Sequence, residues 1–230
     1  MLLGHYAAAL GAKRAARGVS LGTLILAAQL LDLLWPFTLL LGLERVRIVP
    51  GVTTTNPLDF VHYPITHSLL TAIGWGLLLG LGYYAIRRSR AGAAVVAVLV
   101  VSHWVLDAPM HRPDLPLWPG SDMLVGGGLW NSMPATLAVE FGILAAGVVL
   151  YARSTKPRDR TGSIGLWAGL ALLAVIYLGS LFGPPPPDER TIAVSALALW
   201  LLVPWGYWVD RHRAGMAVAV GELPRPTPAA

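Results

Sequence analysis

Apolar residues fill six long stretches of the chain, at residues 20–43, 67–86, 92–108, 134–152, 163–183 and 191–209, separated by short clusters of Pro, Gly and charged residues. Each approaches the roughly 20 residues that a helix needs to cross a ~30 Å hydrocarbon core, the third being the shortest. A helix satisfies its own backbone hydrogen bonds in lipid, and the short alternating segments of an outer-membrane barrel are missing from the pattern. The pattern therefore predicts an all-α, polytopic transmembrane helical bundle of about six spans, preceded by a short N-terminal helix. One domain is expected over residues 1–213. Residues 214–230 carry small residues and prolines without a helical period, and are expected to form a disordered cytoplasmic tail. The stretch GPPPPDER at 183–190 reads as a stiff connection, because successive prolines favour polyproline II and cannot continue a helix.

Composition agrees. With 55% apolar residues, 13% charged residues and a mean hydropathy of +0.62, the chain lies far from soluble domains and has the lipid bilayer as its first partner. The opening eighteen residues place their basic cluster after a short apolar piece, the reverse of a cleavable signal peptide, so they are expected to stay in the mature chain. The absence of cysteine excludes disulfides, thiolate metal ligands and thiol nucleophiles.

Charge sets an expected orientation. Lys13, Arg14, Arg17, Arg87, Arg88, Arg90, Arg153, Lys156, Arg158, Arg160, Arg211, Arg213 and Arg225 fall on one side of successive spans, thirteen of the 17 basic residues. By the positive-inside rule that side faces the cytoplasm. The net charge of +5 is then a topology signal, and no basic patch interleaved with aromatics points to nucleic acid. Most tryptophans fall near the ends of the runs, where interfacial indoles belong.

Several polar residues interrupt or border the spans. Asp32 lies inside LILAAQLLDLLWPF, where a lone carboxylate costs at least ~2.5 kcal/mol and needs a partner. Counted from the cytoplasmic end of each span, Asp32 and His103 lie at roughly 18 and 17 Å, and His5 comes to roughly 13 Å on a partial helix rising from Lys13. Three separate segments thus bring polar groups to about one level. His103 and Asp107, four apart in SHWVLD, share a helix face, a spacing common for two ligands of one ion or for a ligand and its carboxylate orienter. His62 and His67 would not share one. Pro64 disfavours helix at Tyr63, so His62 is expected in the approach loop and His67 in the first helical turn, both turned toward one point. The proline-rich loop after Asp107 carries His111, Arg112 and Asp114, as a lid over the cluster or as a packed surface loop. Glu140, inside the fourth span, reads as a bundle-facing hydrogen-bonding partner. His212 reads as a solvated juxtamembrane side chain.

These residues form a set with a resemblance. Gly4 and His5, Asp32, His62 with the THSL string from Thr66, Ser102, His103 and Asp107, and Leu117, Trp118 and Pro119 resemble, over residues 1–120, the LexA-regulated, membrane-bound metal-dependent hydrolase family of bacteria. The chain departs from that family at Leu31–Trp35, where one carboxylate and one histidine are missing, and at Tyr63 and Pro64, which replace an Arg-Gly pair. The resemblance implies a divalent ion, Zn²⁺ by the imidazole and carboxylate donors, held by some of His5, Asp32, His67, His103 and Asp107. His62, His111 and Asp114 are then the acid/base or outer-ligand candidates. It also implies a metal-activated water attacking an ester or phosphoester of a lipid or envelope substrate at the outward side of a bacterial inner membrane. A nucleophilic Ser68 or Ser102 is an alternative chemistry. A proton-coupled transporter, in which intramembrane His and Asp relay protons, and a structural membrane protein, whose polar groups bridge helices, are the alternative functions.

Overall fold

The computed structural model describes residues 1–215. Its first helix, α1 (Leu3–Ala12), is followed by α2 (Leu21–Ala28) and α3 (Leu30–Leu40), then by the hairpin β1 (Arg45–Ile48) and β2 (Leu58–His62). A single turn, α4 (Pro64–His67), leads into the long antiparallel pair α5 (Leu69–Arg87) and α6 (Arg90–Asp107). The next loop holds the two-residue strands β3 (Leu115–Pro116) and β4 (Leu124–Val125). Then come α7 (Met133–Ser154), β5 (Thr155–Pro157), α8 (Arg160–Phe182), α9 (Glu189–Ala196), α10 (Leu202–Arg211) and β6 (Arg213–Gly215). The expected helical bundle is present: five helical segments are long and apolar enough to cross a membrane, the last running from Glu189 to Arg211, and α2 with α3 forms a sixth, bent by 53°.

Short polar residues fix where these helices begin. Ser20, Ser68, Ser89, Ser132, Asp159 and Asp188 each accept a backbone N–H from the residue three positions on, satisfying a donor that the first turn leaves open. The sequence pattern placed the spans well but missed two features. It ran the first span through Gln29, where the helix breaks between α2 and α3. It also read as plain loops the segments that pair as β1–β2, β3–β4 and β5–β6. Ala214 and Gly215, the first two residues of the expected tail, belong to the last of these pairs. The remainder of the expected tail, 216–230, lies outside the described residues.

α1 spans only about 15 Å, half a bilayer, yet is almost wholly buried among α2, α6 and α7. Its N-terminus therefore ends inside the bundle with unpaired backbone donors. Glu140 on α7 supplies the acceptors, taking Leu2 N–H and Gly4 N–H at 2.9 Å each. This is the hydrogen-bonding role read from the sequence. Close approach of α1 to α7 depends on Gly147, where a Cβ would sit 2.5 Å from the Ala7 carbonyl oxygen. At the other end of α1, buried Lys13 donates to the Val19 carbonyl and pairs with Asp210 of α10 at 2.8 Å. The bond from Gly4 to Glu140, one residue from His5, fixes the height of that imidazole in the bundle.

Candidate metal centre

Five of the sequence candidates meet at one point between α1, α3, α4 and α6. His5, His67, His103 and Asp107 are buried, while the Asp32 side chain is 22% exposed and forms the accessible edge. Their mutual distances lie at or just beyond the long end of ordinary hydrogen bonds. Asp32 Oδ1 lies 3.4 Å from His67 Nε2 and 3.6 Å from His103 Nε2. Asp107 lies 3.2 Å from His5 Nε2 through Oδ1 and 3.3 Å from His103 Nε2 through Oδ2. The Met1 amino group also contacts Asp107 Oδ1.

What each imidazole does with its other nitrogen decides what it presents here. His103 Nδ1 lies 2.8 Å from the Ala28 carbonyl oxygen at the end of α2; that oxygen only accepts, so Nδ1 carries the proton. The helix break at Gln29 thus follows the residue whose carbonyl locks the ring. Thr66 Oγ1 donates to Glu44 Oε2 at 2.8 Å, leaving its oxygen to accept from His67 Nδ1–H at 2.7 Å. Glu44 is itself fully buried and accepts the backbone N–H groups of Ile65 and Thr66 at 2.8 and 2.9 Å, which pins α4. On His111, Nδ1 donates to Asp114 Oδ1 at 2.9 Å and Nε2 points at Asp107 Oδ2 from 4.0 Å. In their neutral form these three rings therefore turn a bare Nε2 lone pair toward Asp32 and Asp107.

His5 completes the set. Its ring stacks on that of His103 with centroids 3.5 Å apart, and neither of its nitrogens has a hydrogen-bond partner, nor has His103 Nε2. Lone pairs packed against carboxylates repel unless a proton or a metal cation lies between them, and unpaired buried polar atoms cost ~1–3 kcal/mol each. Ligand bonds of ~2.0–2.2 Å in a tetrahedron set donor–donor edges of ~3.3–3.6 Å. The 3.2–3.6 Å separations match those edges better than they match hydrogen bonds of ~2.7–3.2 Å. Two donor triads result, His5–His103–Asp107 and Asp32–His67–His103. They share His103, whose single free lone pair serves one ion at a time.

The acid/base candidates separate. His62 is exposed on β2 opposite Arg45 and takes no part in the cluster. The expected inward turn fails because His62 closes the strand β2, held opposite Arg45 on the exposed end of the hairpin, and only the next residue, Tyr63, turns into the core. His111 is buried against Trp130 at a ring distance of 4.1 Å and Phe60 at 5.0 Å. Burial pushes its imidazole below the ordinary value, so it is neutral at pH 7. Asp114 stands behind it, accepting Tyr63 Oη–H at 2.9 Å and Arg112 Nε–H at 3.2 Å as well as His111, which makes it an orienting group. Arg112 also pairs with Asp59, which Arg47 holds from the β1–β2 hairpin at 2.5 Å. The loop after α6 is packed in place: Gly127 N–H bonds the Ala108 carbonyl, and Trp130 N–H bonds that of Met110.

Sequence reading missed Glu44 and the Ala28 carbonyl. Nothing local marks either one: Glu44 looks like an outward loop acid until α4 folds back over it, and a backbone carbonyl has no sequence signature. On the opposite end, His212 is partly exposed and bonds Asp159, the cap of α8, at 2.8 Å.

The family described as YdjM inner membrane protein matches residues 1–184. No curated protein and no solved structure matches the chain.

Proposed function

The chain belongs to the YdjM inner membrane protein family, and we propose that within it this protein is a membrane-embedded, metal-dependent hydrolase acting on an ester or phosphoester of a lipid or envelope component. The observation that carries this reading is the tautomer lock on His67, His103 and His111, which turns three Nε2 lone pairs toward two carboxylates. A hydrogen bond to the nitrogen turned away from the ion is the usual device for orienting imidazole ligands.

His67, His103 and Asp32, or His5, His103 and Asp107, are the residues that would hold a divalent ion, with Zn²⁺ favoured by nitrogen and carboxylate donors. Bound there, the ion would supply Lewis acidity and lower the pKa of water toward neutrality. His111, neutral and fixed by Asp114, accepts a proton at Nε2 on the cluster side and returns it to a leaving group. Phe60 and Trp130 wall that ring off from bulk water. Partly exposed Asp32 marks the side from which a substrate reaches the cluster. The basic ends of α5, α8 and α10 support, by the positive-inside rule, an orientation with that side of the bundle in the cytoplasm and the cluster toward the outer face.

A second reading, passage of an ion or proton, draws support from the 53° break beside the cluster, since discontinuous helices build transport sites. The two separate in proteoliposomes of the full chain supplied with Zn²⁺ and tested on p-nitrophenyl esters, bis(p-nitrophenyl) phosphate and bilayer phospholipid. Hydrolysis that a chelator abolishes and that Asp107→Asn eliminates supports the hydrolase. Ion flux without any hydrolysis by the metal-loaded protein would overturn it in favour of transport.

A further inference from the structure

Away from the polar cluster, a cavity of about 590 Å³ opens between α2–α3 and α5, within the ~300–1,000 Å³ range of small-molecule sites. Its walls are strongly graded. Leu26, Leu30 and Leu34 form one side and Trp75, Leu78 and Leu79 the other, all apolar apart from the Trp75 Nε1–H, which the Ile65 carbonyl takes at 2.9 Å. The polar groups gather at the other end, around Arg87, Ser20, Thr23 and Tyr207. From Trp75 to Arg87 the groove follows twelve residues of one helix, about 18 Å. That is close to the ~15 Å hydrocarbon depth of a single leaflet.

The polar end has unused capacity. Ser20 Oγ and Thr23 Oγ1 lie 2.9 Å apart, and Thr23 Oγ1 lies 2.8 Å from Tyr207 Oη. Three hydroxyls sharing two hydrogen bonds leave one O–H for an outside acceptor. Arg87 is exposed and has no ion pair or hydrogen bond among the described residues. It stands at the end of the bundle that also carries Arg88 and Arg90. An arginine and a spare hydroxyl lining one cavity suit a phosphate oxygen, and an apolar channel one leaflet deep suits a single acyl chain.

We propose that this groove binds one anionic phospholipid from the leaflet at the basic end, its phosphate on Arg87 and the Ser20–Thr23–Tyr207 hydroxyls and one tail running to Trp75. The site is separate from the metal cluster, and its occupancy does not depend on hydrolysis. Gly82 in the groove wall offers a way to block it, because a Cβ there meets nothing within 4 Å, so a larger side chain enters the open space without displacing a neighbour.

Native mass spectrometry of the detergent-purified full chain, titrated with palmitoyl-oleoyl phosphatidylglycerol or the matching phosphatidylcholine, tests this. One phosphatidylglycerol per chain is expected, at least fivefold tighter than phosphatidylcholine. Arg87→Gln loses about fivefold in phosphatidylglycerol affinity, equivalent to ~1 kcal/mol, while Arg87→Lys retains most of it. Gly82→Trp removes binding of both lipids. Equal binding of the two lipids by the wild type, or an Arg87→Gln variant with unchanged preference, overturns the proposal even if Gly82→Trp fails to fold. A lipid-free dimer would overturn it too, by showing that a helix of a second copy fills the groove.

Discussion

Thr66→Val removes one hydroxyl and little else. Valine keeps the shape of threonine and leaves the Thr66 backbone N–H on Glu44, so α4 retains its anchor. Two interactions disappear: the charge-assisted bond from Thr66 Oγ1 to Glu44 at 2.8 Å and the acceptor for His67 Nδ1–H at 2.7 Å. A hydrogen bond to a charged group is worth ~1.5–3 kcal/mol, and a buried donor left without a partner costs ~1–3 kcal/mol. Since both losses share one hydroxyl, about 3 kcal/mol is the expected destabilisation, read as a lower melting temperature in detergent. The larger consequence is for His67. With Nδ1 unfixed, the ring has no reason to keep Nε2 on Asp32, and loss of such an orienting group typically weakens a metal site 10–100-fold. Competition for Zn²⁺ against a chromogenic chelator measures that directly. Thr66→Ser restores the hydroxyl and is expected to bind within about threefold of wild type. A Thr66→Val protein that melts early but binds metal like wild type would refute the relay from Glu44 to His67.

Other expectations follow from the same geometry. Glu140→Ala leaves Leu2 N–H and Gly4 N–H unpaired inside the bundle and should destabilise by about 3 kcal/mol, with loss of metal affinity through His5, measured by thermal melting and Zn²⁺ competition. Asp210→Ala strands the buried Lys13 ammonium with only the Val19 carbonyl, at ~3 kcal/mol in melting experiments, while metal affinity stays unchanged because the pair lies at the far end of α1. His111→Asn should keep metal binding within about threefold yet reduce hydrolysis by ~10²–10⁴, the usual weight of a positioned acid/base group. Equal loss of both would make His111 a ligand instead.

Much of the fold was legible because the bilayer imposes a simple rule on composition and length. The spans from α5 to α10 begin and end within a few residues of the apolar runs, since lipid tolerates neither polar residues nor open backbone. The break at Gln29 was not legible: a run of apolar residues reads the same whether the helix is straight or bent. The β1–β2 hairpin escaped for a related reason, as RVRI and LDFVH are too short and too mixed to stand out beside six hydrophobic runs. At the site, depth counting brought His5, Asp32 and His103 to one level, and the structure places them in contact. His62 failed because a strand, not a loop, precedes Pro64. Glu44 and Ala28 act through tertiary return of other segments, and that return leaves no local trace.

Metal content decides whether the polar cluster holds an ion. The full chain, purified without chelators and measured by inductively coupled plasma mass spectrometry, should carry about one divalent ion per chain. His103→Ala should carry none, because both donor triads share that residue, whereas Asp32→Ala separates the two: it loses the ion if Asp32–His67–His103 holds it and keeps it if His5–His103–Asp107 does. A wild-type protein free of stoichiometric metal, or a folded His103→Ala variant that keeps it, would rule out a metal site at this cluster.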